Sequence, residues 1–570
     1  MNILGICNAN DSGAAIIKDG KLIASVNEER FIRSKLTRKF PINSIEYVLK
    51  EAELKIEQID YVGCGAWGGI NIDETLPILN QEKFKKNQQG SFAKLRAEER
   101  INASIKSDLA AKNRLLEDCK KNGIPLEKIN FCDHHLSHAL VAFYPSKFDE
   151  AVVLVSDGRG DFRSTSLWKA DREHGLKNIH TVSELNSIGA MYGYMTKILG
   201  YTPDRHEGKL MGLSARGKHT ELCDHLNKSI WFDKNTAQIE TVYGDYYLPN
   251  MRAELPKLTN LLKEFSKEDF AFAAQFILEK VLIDYLTYYL NKEFLGKNIN
   301  LCLSGGCTAN VKLNYEINKI SQVKDMYVSP SMGDGGNALG GAIYCMIENS
   351  SQKKLDMETV YLGPKFNHET IIEVCKKNQL KYKIISTEEK IDIAANYLNQ
   401  EKIIGWFQGR MEYGPRALGS RSILASPKNK YINDSLNKRL NRTEFMPFAP
   451  VTTDELAPLC FENWNSQDDC ARFMTTCYQC TSLMIESCPA TVHIDNTARP
   501  QVIRYNDNPD YYELIKRYYK ISSRPALINT SFNHHEEPIV CTPEDAIRSF
   551  KKGNVDILFM ENIMITNNVL

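Results

Sequence analysis

No apolar run in this 570-residue chain is long enough to cross a bilayer; the most helix-like stretch, Phe270 to Leu290, is interrupted by Glu279, Lys280 and Asp284. Met1 to Gly20 has no basic start followed by a long apolar core, so no signal peptide is expected, no membrane is expected as a partner, and the cytoplasm is the expected compartment. Net charge is also lacking. The 71 acidic and 71 basic residues cancel, which announces neither a polyanion-binding nor a membrane-surface protein. Internal repeats and low-complexity tracts are not visible. Fifteen cysteines without an export signal read as reduced thiols and not as a disulfide framework. Of Cys470, Cys477, Cys480 and Cys488, only Cys477 and Cys480 form a Cys-x-x-Cys, inside a strand-like run. The second paired element of a structural zinc site is missing, and the default is buried small hydrophobes. With 43% hydrophobic and 25% charged residues, the chain can bury large cores in about three to four domain-sized units.

What is present begins with Asp133-His134-His135-Leu136-Ser137-His138-Ala139. Asp133 suits an N-cap, and Ala139 to Tyr144 continue the helix, so His134 and His138 at i and i+4 share one face and can grip one metal ion. A zinc peptidase helix needs Glu after its first histidine, where this chain has His135, so that chemistry loses its base. The bland reading is a pair of helix-start histidines satisfied by local hydrogen bonds.

Two Gly-rich acidic loops follow strand-like runs, Ser156-Asp157-Gly158-Arg159-Gly160-Asp161 and Met332-Gly333-Asp334-Gly335-Gly336-Asn337. Each alone reads as an ordinary turn. Together with the histidines, Asp157 and Asp334 make a mixed nitrogen and oxygen set suited to iron(II), manganese or zinc. Between them, Leu301 to Ser304 run as a strand into the small-residue turn Gly305-Gly306-Cys307-Thr308-Ala309-Asn310 and then a helix, a place where backbone amides can receive a nucleotide. At the N-terminus, strands at 1–7, 14–17 and 22–26 are joined by the loop Asp11-Ser12-Gly13 and a turn at Lys18 to Lys21. That is how actin-like and sugar-kinase-like ATPase folds begin.

These segments, with Glu28-Glu29-Arg30-Phe31 and His206-Glu207-Gly208-Lys209-Leu210-Met211-Gly212, resemble the O-carbamoyltransferase family, which includes nodulation protein U and carbamoyltransferases of antibiotic biosynthesis. The family's N-terminal domain is similar to the catalytic subunit that makes threonylcarbamoyl-adenosine in tRNA. The C-terminal part carries its own signal. Gly405 to Ser422 is dense in glycine and arginine, and guanidinium groups at Arg416 and Arg421 near backbone amides suit a nucleotide triphosphate. Asn441 to Pro450 add Arg442 beside an aromatic and proline wall, and Asn529-Thr530-Ser531-Phe532-Asn533 ends a strand with small hydrogen-bonding side chains. Taken singly, the arginines read as surface ion pairs and the asparagines as turn formers. Together with His493 to Asp495 and Thr497-Ala498-Arg499-Pro500-Gln501, they resemble the family's YrdC-like domain.

The resemblance implies an α/β protein with an N-terminal actin-like (ASKHA) carbamoyl-transfer domain over 1–350 and a C-terminal α/β YrdC-like domain over 355–570. The boundary falls in the polar stretch Glu348 to Lys354, and a solvated helical insertion is expected at about 80–122. It implies that carbamoyl phosphate and ATP, with Mg2+, give carbamoyl-adenylate and pyrophosphate in the C-terminal domain. Arg416, Arg421 and Arg442 would stabilise phosphates there, with Ser531, Asn533, Asn529 and Arg499 binding the reactants. The carbamoyl group would then pass to an acceptor hydroxyl at iron(II), or another divalent metal, on His134, His138, Asp157 and Asp334. Ser304, Gly305, Gly306, Asn310, Glu207 and Lys209 would hold the nucleotide.

One departure from the family stands out. A histidine commonly precedes the loop aspartate, and this chain has Asn10 before Asp11, so Asp11, His135 or His206 is left as base. A second departure is Leu440 where a lysine is common. The acceptor stays open among sugars, other small molecules and hydroxymethylated nucleotides or DNA, the last not indicated by charge; a homodimer also stays open. An actin-like ATPase or small-molecule kinase, which leaves the arginine motifs and the histidine pair unexplained, and a non-catalytic nucleotide-binding regulator are the alternatives.

Overall fold

A computed structural model describes residues 1–65, 67–69, 72–250, 254–442 and 445–566. Contacts divide the chain into two compact units, one comprising Met1–Ile23 and Arg38–Met357, the other Ala24–Thr37 and Glu358–Leu570. The chain is α/β throughout.

The first sheet is formed by β1 (Asn2–Cys7), β2 (Gly13–Lys18), β3 (Lys21–Asn27, of which Lys21–Ile23 belong to the first unit), β4 (Tyr61–Cys64) and β5 (Ile129–Phe131), ordered β3-β2-β1-β4-β5. β1 runs antiparallel to β2 and parallel to β4, and β4 runs parallel to β5. The second sheet uses β6 (Glu150–Gly160), β7 (Arg163–Asp171) and β8 (Gly175–Ser183), then, after a hairpin of β9 (Ile230–Asp233) and β10 (Gln238–Thr241), β11 (Ile299–Ser304) and β12 (Val323–Val328). Its order is β8-β7-β6-β11-β12, with β6 antiparallel to β7 and β11 parallel to both β6 and β12. Both sheets therefore have three meandering strands followed by two parallel ones in the order 3-2-1-4-5. This duplicated pattern defines the actin-like fold.

Helix Asn337–Asn349 packs on β1 and β4, helix His134–Phe143 packs on β6 and β11, and the two helices pack on each other. The approach to the first sheet is close enough to demand glycine. A Cβ on Gly5 would lie 1.9 Å from the Ala338 carbonyl oxygen, and one on Gly63 1.9 Å from that of Gly341. Helices Ile72–Gln88 and Ser91–Lys121 lie between β4 and β5 in the chain. The helix from Lys267 to Glu293 is capped by Ser266, whose hydroxyl accepts from the Asp269 amide. Among the described residues no helix is long and apolar enough to cross a membrane.

The second unit is built on β13 (Tyr382–Ile384), β14 (Ile404–Phe407), β15 (Arg421–Ala425), β16 (Ala449–Thr453), β17 (Tyr478–Gln479), β18 (Thr497–Ala498), β19 (Gln501–Ile503), β20 (Leu527–Ser531), β21 (Ile557–Met560) and β22 (Ile563–Thr566). Eight of them make a mixed sheet ordered β13-β22-β21-β14-β15-β20-β16-β19, and β17 pairs with β18. Both faces are covered, as the alternation along the strands requires. Phe407, Ile423, Leu558 and Met560 enter one core, and Trp406, Leu424, Ile557 and Phe559 the other. Cys460, Cys480 and Cys488 sit in a third, apolar cluster with Phe461 and Met484.

Candidate functional site

Asp133 caps helix His134–Phe143 by accepting from the Leu136 amide at 2.7 Å, which sets His134 and His138 one turn apart. Asp157 reaches the same place through an irregularity in β6: the ladder to β7 shifts between Ser156 and Gly160, so the intervening residues are out of register with β7. Gly160 keeps the space clear, because a Cβ there would stand 2.0 Å from the His134 ring. Asp334 comes from the turn after β12, just before helix Asn337–Asn349.

The ligand atoms of His134, His138, Asp157 and Asp334 lie within 4.8 Å of one another. His134 Nε2 is 3.5 Å from an oxygen of each carboxylate, and His138 Nε2 is 3.4 Å from Asp157 and 3.5 Å from Asp334. These gaps are long for charged hydrogen bonds, yet they match ligands standing about 2.1 Å from one centre, which in a tetrahedral set are about 3.4 Å apart. The donor set is thus fit for a borderline divalent ion. Its electrostatics also call for a cation. Burial would lower the basicity of His134, but its hydrogen bond to Asp157 and the Asp334 and Asp157 charges raise its pKa to about 9. Burial works to raise Asp157, and the hydrogen bond from His134 instead holds it well below the ordinary carboxylate range.

Ser304, expected to contact nucleotide, is fully buried. Its hydroxyl donates to the Met332 carbonyl at 3.1 Å, so its oxygen accepts from His138 Nδ1 at 3.1 Å. That fixes the proton on Nδ1 and leaves the Nε2 lone pair for the site, where the Asn337 side-chain amide donates to it at 3.2 Å. Gly305 has φ +95° and abuts Ser156, and a Cβ on Gly306 would meet Asp157 Oδ1 at 3.0 Å, so this turn borders the ligand cluster. Asn310 caps helix Val311–Ile317 and bonds Gln275 at 2.8 Å, placing it in a polar cluster with Tyr192 and Glu279. Glu207 starts helix Glu207–Ser214 and accepts from the Asp204 amide at 2.7 Å, with its pKa pushed up by burial to about 7. Lys209 is buried on the same helix against the Tyr201 ring.

Of the three bases left open by the Asn10 change, His135 is fully buried beside Ser166, and burial together with the His134 and Arg163 charges pushes its pKa well below the usual value. His206 accepts from the Thr202 amide at 3.1 Å. Asp11 is half-buried at φ 61°, in the left-handed region. Asn10 accepts from Arg38 Nε at 2.5 Å.

In the second unit, Arg442 donates to Thr530 Oγ1 at 3.1 Å, to Ser531 Oγ at 3.0 Å and to Asn533 Oδ1 at 2.5 Å, so three of the expected residues meet at the end of β20. Thr443 and Glu444 of the same motif lie outside the described residues. Arg499 is half-buried between β18 and β19. Arg421 differs from its expected place among the phosphates. It is fully buried, its guanidinium donates to the carbonyls of Gln408, Gly409, Ser420 and Pro364, and its charge lies 3.6 Å above the Phe407 ring. The reason is its register: it opens β15 opposite Phe407 in the middle of the sheet.

Arg416 by contrast is half-buried on a loop whose peptides are gripped one by one. Glu412 Oε1 accepts from the amides of Leu418, Ser420 and Arg421 at 2.7–2.9 Å. Asn529 donates to the Ala417 carbonyl at 3.1 Å, Gln501 to that of Leu418 at 2.7 Å, and Asn529 also donates to Gln501. Arg30, from the segment at 24–37, donates to the Gly414 carbonyl at 2.8 Å. Asn529 is therefore a loop holder here. Glu412, Gln501 and Arg30 had no role in the sequence reading, and their only signal was membership of the motifs.

An actin-like unit with two buried histidines beside two half-buried carboxylates, and a second α/β unit that fixes arginines beside strand ends, fit an enzyme of group transfer. Comparison narrows the class. The family described as Carbamoyltransferase N-terminus matches residues 2–343, and Carbamoyltransferase C-terminus matches residues 395–567. The chain is similar to nodulation protein NolNO of Sinorhizobium fredii (30% identity, 98% of this chain and 79% of that protein). It is also similar to nodulation protein U of Azorhizobium caulinodans (28%, 100% and 99%) and to an uncharacterized protein of Synechocystis sp. (33%, 99% and 96%). Among solved structures, HypF of T. kodakarensis aligns over 62% of this chain and 48% of its own at 11% identity, with a TM-score of 0.33. The chain belongs to the carbamoyltransferase family, and it is a carbamoyltransferase.

Proposed function

We propose that the protein is an ATP-dependent O-carbamoyltransferase working in two half-reactions, one on each unit. In the second, YrdC-like unit, water cleaves carbamoyl phosphate to carbamate and phosphate. A carbamate oxygen then attacks the α-phosphorus of Mg-ATP, forming carbamoyl-adenylate and expelling pyrophosphate. In the first unit, an acceptor hydroxyl attacks the carbamoyl carbon, the carbamate ester forms, and AMP leaves with the bonding electron pair. The observation that carries this reading is that each unit has its own constellation: Arg442 with Ser531 and Asn533 beside the Arg416 loop in one, and the His134, His138, Asp157 and Asp334 cluster in the other.

Arg416 and Arg442 orient and neutralise phosphate oxygens through paired N–H donors. Arg421 supports the loop from beneath. In the first unit, the Gly305–Gly306 turn and Lys209 sit where AMP is held, and Asp11 takes the proton of the attacking hydroxyl. His134, His138, Asp157 and Asp334 would hold a divalent ion, iron(II) in our reading, which would supply Lewis-acid polarisation of the carbamoyl carbonyl.

The test is AMP and pyrophosphate release from ATP by the purified, iron-supplemented protein with and without carbamoyl phosphate. AMP release should require carbamoyl phosphate and fall at least about 100-fold in Arg416→Ala, the loss of a positioned charge on a transferring group. Release of ADP, or indifference to carbamoyl phosphate, would turn the reading towards an actin-like kinase or ATPase.

A further inference from the structure

Next to the metal-ligand cluster lies a group of side chains that the two half-reactions leave unused. The Trp67 ring stands 6.5 Å, centroid to centroid, from that of His134. Two guanidinium groups lie against it, Arg159 at 5.3 Å and Arg38 at 5.4 Å from the ring centre. Their electrostatic settings are opposite. Arg159 is neutralised, donating to both oxygens of Asp108 at 2.6 Å and to Glu184 at 2.8 Å. Arg38 is exposed, and among the described residues its hydrogen-bond partner is a neutral one, Asn10 Oδ1, with no carboxylate at ion-pair distance.

A guanidinium held by its Nε and stacked on an indole keeps its two Nη groups pre-oriented, and that edge matches a phosphate through two parallel hydrogen bonds. Asn10 suits this arrangement. It only accepts towards Arg38 and carries no charge that would repel the guanidinium. A second feature points to a bound oxygen at the same place: the Trp67 indole N–H is buried with no acceptor among the described residues.

We propose that Arg38, held by Asn10 and Trp67, anchors a phosphate carried by the carbamoyl acceptor, so that the acceptor is a phosphorylated sugar and not a neutral one. This rests on the carbamoyl-transfer reading and specifies its acceptor. The two ring contacts in series, 5.4 Å and 6.5 Å, keep the Arg38 charge less than 12 Å from the centre of the His134 ring. One or two sugar rings fill such a span, with the phosphate on Arg38 and the attacking hydroxyl at the cluster. The helix Ser91–Lys121 takes part through Asp108, because pairing Arg159 leaves Arg38 as the guanidinium on Trp67 that has no carboxylate partner among the described residues.

Equilibrium binding tests this with the full-length, metal-loaded protein in excess non-hydrolysable ATP analogue, which fills the nucleotide sites. The probes are glucose 1-phosphate and UDP-glucose against glucose, on wild type, Arg38→Ala, Arg38→Lys and Asn10→Ala. The phosphate esters should bind at least about tenfold more tightly than glucose. That preference should vanish in Arg38→Ala, weaken in Asn10→Ala and partly return in Arg38→Lys. Equal binding of charged and neutral probes, absence of binding by both included, or a preference that survives Arg38→Ala overturns the proposal. Carbamoyl-phosphate-dependent AMP release, measured on the same preparation, separates the failures. Where it is present, only the acceptor proposal falls; where it is absent, the carbamoyl reading falls and takes the acceptor proposal with it.

Discussion

Ser304 and His138 illustrate how one hydroxyl sets the chemistry of a buried imidazole. Because Ser304 gives its proton to the Met332 carbonyl, it can only accept from His138, and the Nε2 lone pair is held towards Asp157 and Asp334. Ser304→Ala removes that constraint and leaves Nδ1 unpaired in a fully buried place. Divalent-metal affinity, measured by competition with a chelator of known strength, should fall about 10- to 100-fold, the usual effect of losing a partner behind a ligating histidine. Ser304→Thr keeps a hydroxyl at the same atom and should keep most of the affinity. Equal affinity in Ser304→Ala and wild type would show that packing alone orients the ring. Sequence reading found His138, since i and i+4 spacing is a helical property. It gave Ser304 a different duty, because whether a residue at a strand end faces a loop or the helix behind it depends on register. Arg416 and Arg421 separate for the same reason: both lie in one Gly-rich motif, but only Arg421 opens a central strand and is fully buried.

At the scale of elements, the strands were readable from their apolar runs, the N-terminal meander to within a residue or so at each end, and the helix cap at Asp133 from its side chain. The repeated strand order was not readable. What repeats is a hydrogen-bonding pattern, and different apolar residues satisfy it in the two sheets. Nor could pattern alone predict the hold that helix Ile72–Gln88 has on β10. Lys86 is fully buried there, donating to the Thr241 carbonyl at 2.7 Å and its hydroxyl at 2.8 Å and lying 4.7 Å from the Tyr243 ring centre. Burial lowers its pKa to about 8, with the Glu82 and Glu240 charges opposing the shift. The ordinary lysine pKa is 10.5, so between pH 8 and 10.5 the unfolded chain binds more protons than the folded one, and this residue's contribution to stability rises with pH across that window. Below pH 8 the folded protein carries the full cost of the buried ammonium, at most about 3 kcal/mol for a shift of this size. Urea unfolding of Lys86→Met should therefore lack part of the gain in stability that wild type shows from pH 8 to 10. Parallel pH profiles for the two proteins would mean that the lysine stays charged throughout.

For the whole molecule, the assignment of one half-reaction to each unit makes the steps separable by mutation. The cluster at His134, His138, Asp157 and Asp334 belongs to the first unit, and the Arg416 loop with Arg442, Ser531 and Asn533 belongs to the second. Loss of His138 removes one of the two proposed nitrogen ligands and leaves Asp157 and Asp334 with a single imidazole, so carbamoyl transfer should fall at least about 100-fold, while the arginines proposed to handle the phosphates are untouched. The expected signature is uncoupling: His138→Ala should form pyrophosphate from ATP when carbamoyl phosphate is present without yielding carbamoylated acceptor, and the unstable adenylate should appear as AMP, carbon dioxide and ammonia. Arg416→Ala should form neither pyrophosphate nor product. Mixing the two variants adds a check that neither provides alone. If carbamoyl-adenylate can leave one molecule and enter another before it hydrolyses, the mixture recovers product; if it passes only within a molecule, the mixture stays inactive. A His138→Ala protein that loses pyrophosphate formation to the same degree as product would refute the division of labour and place both chemical steps under the control of the histidine cluster.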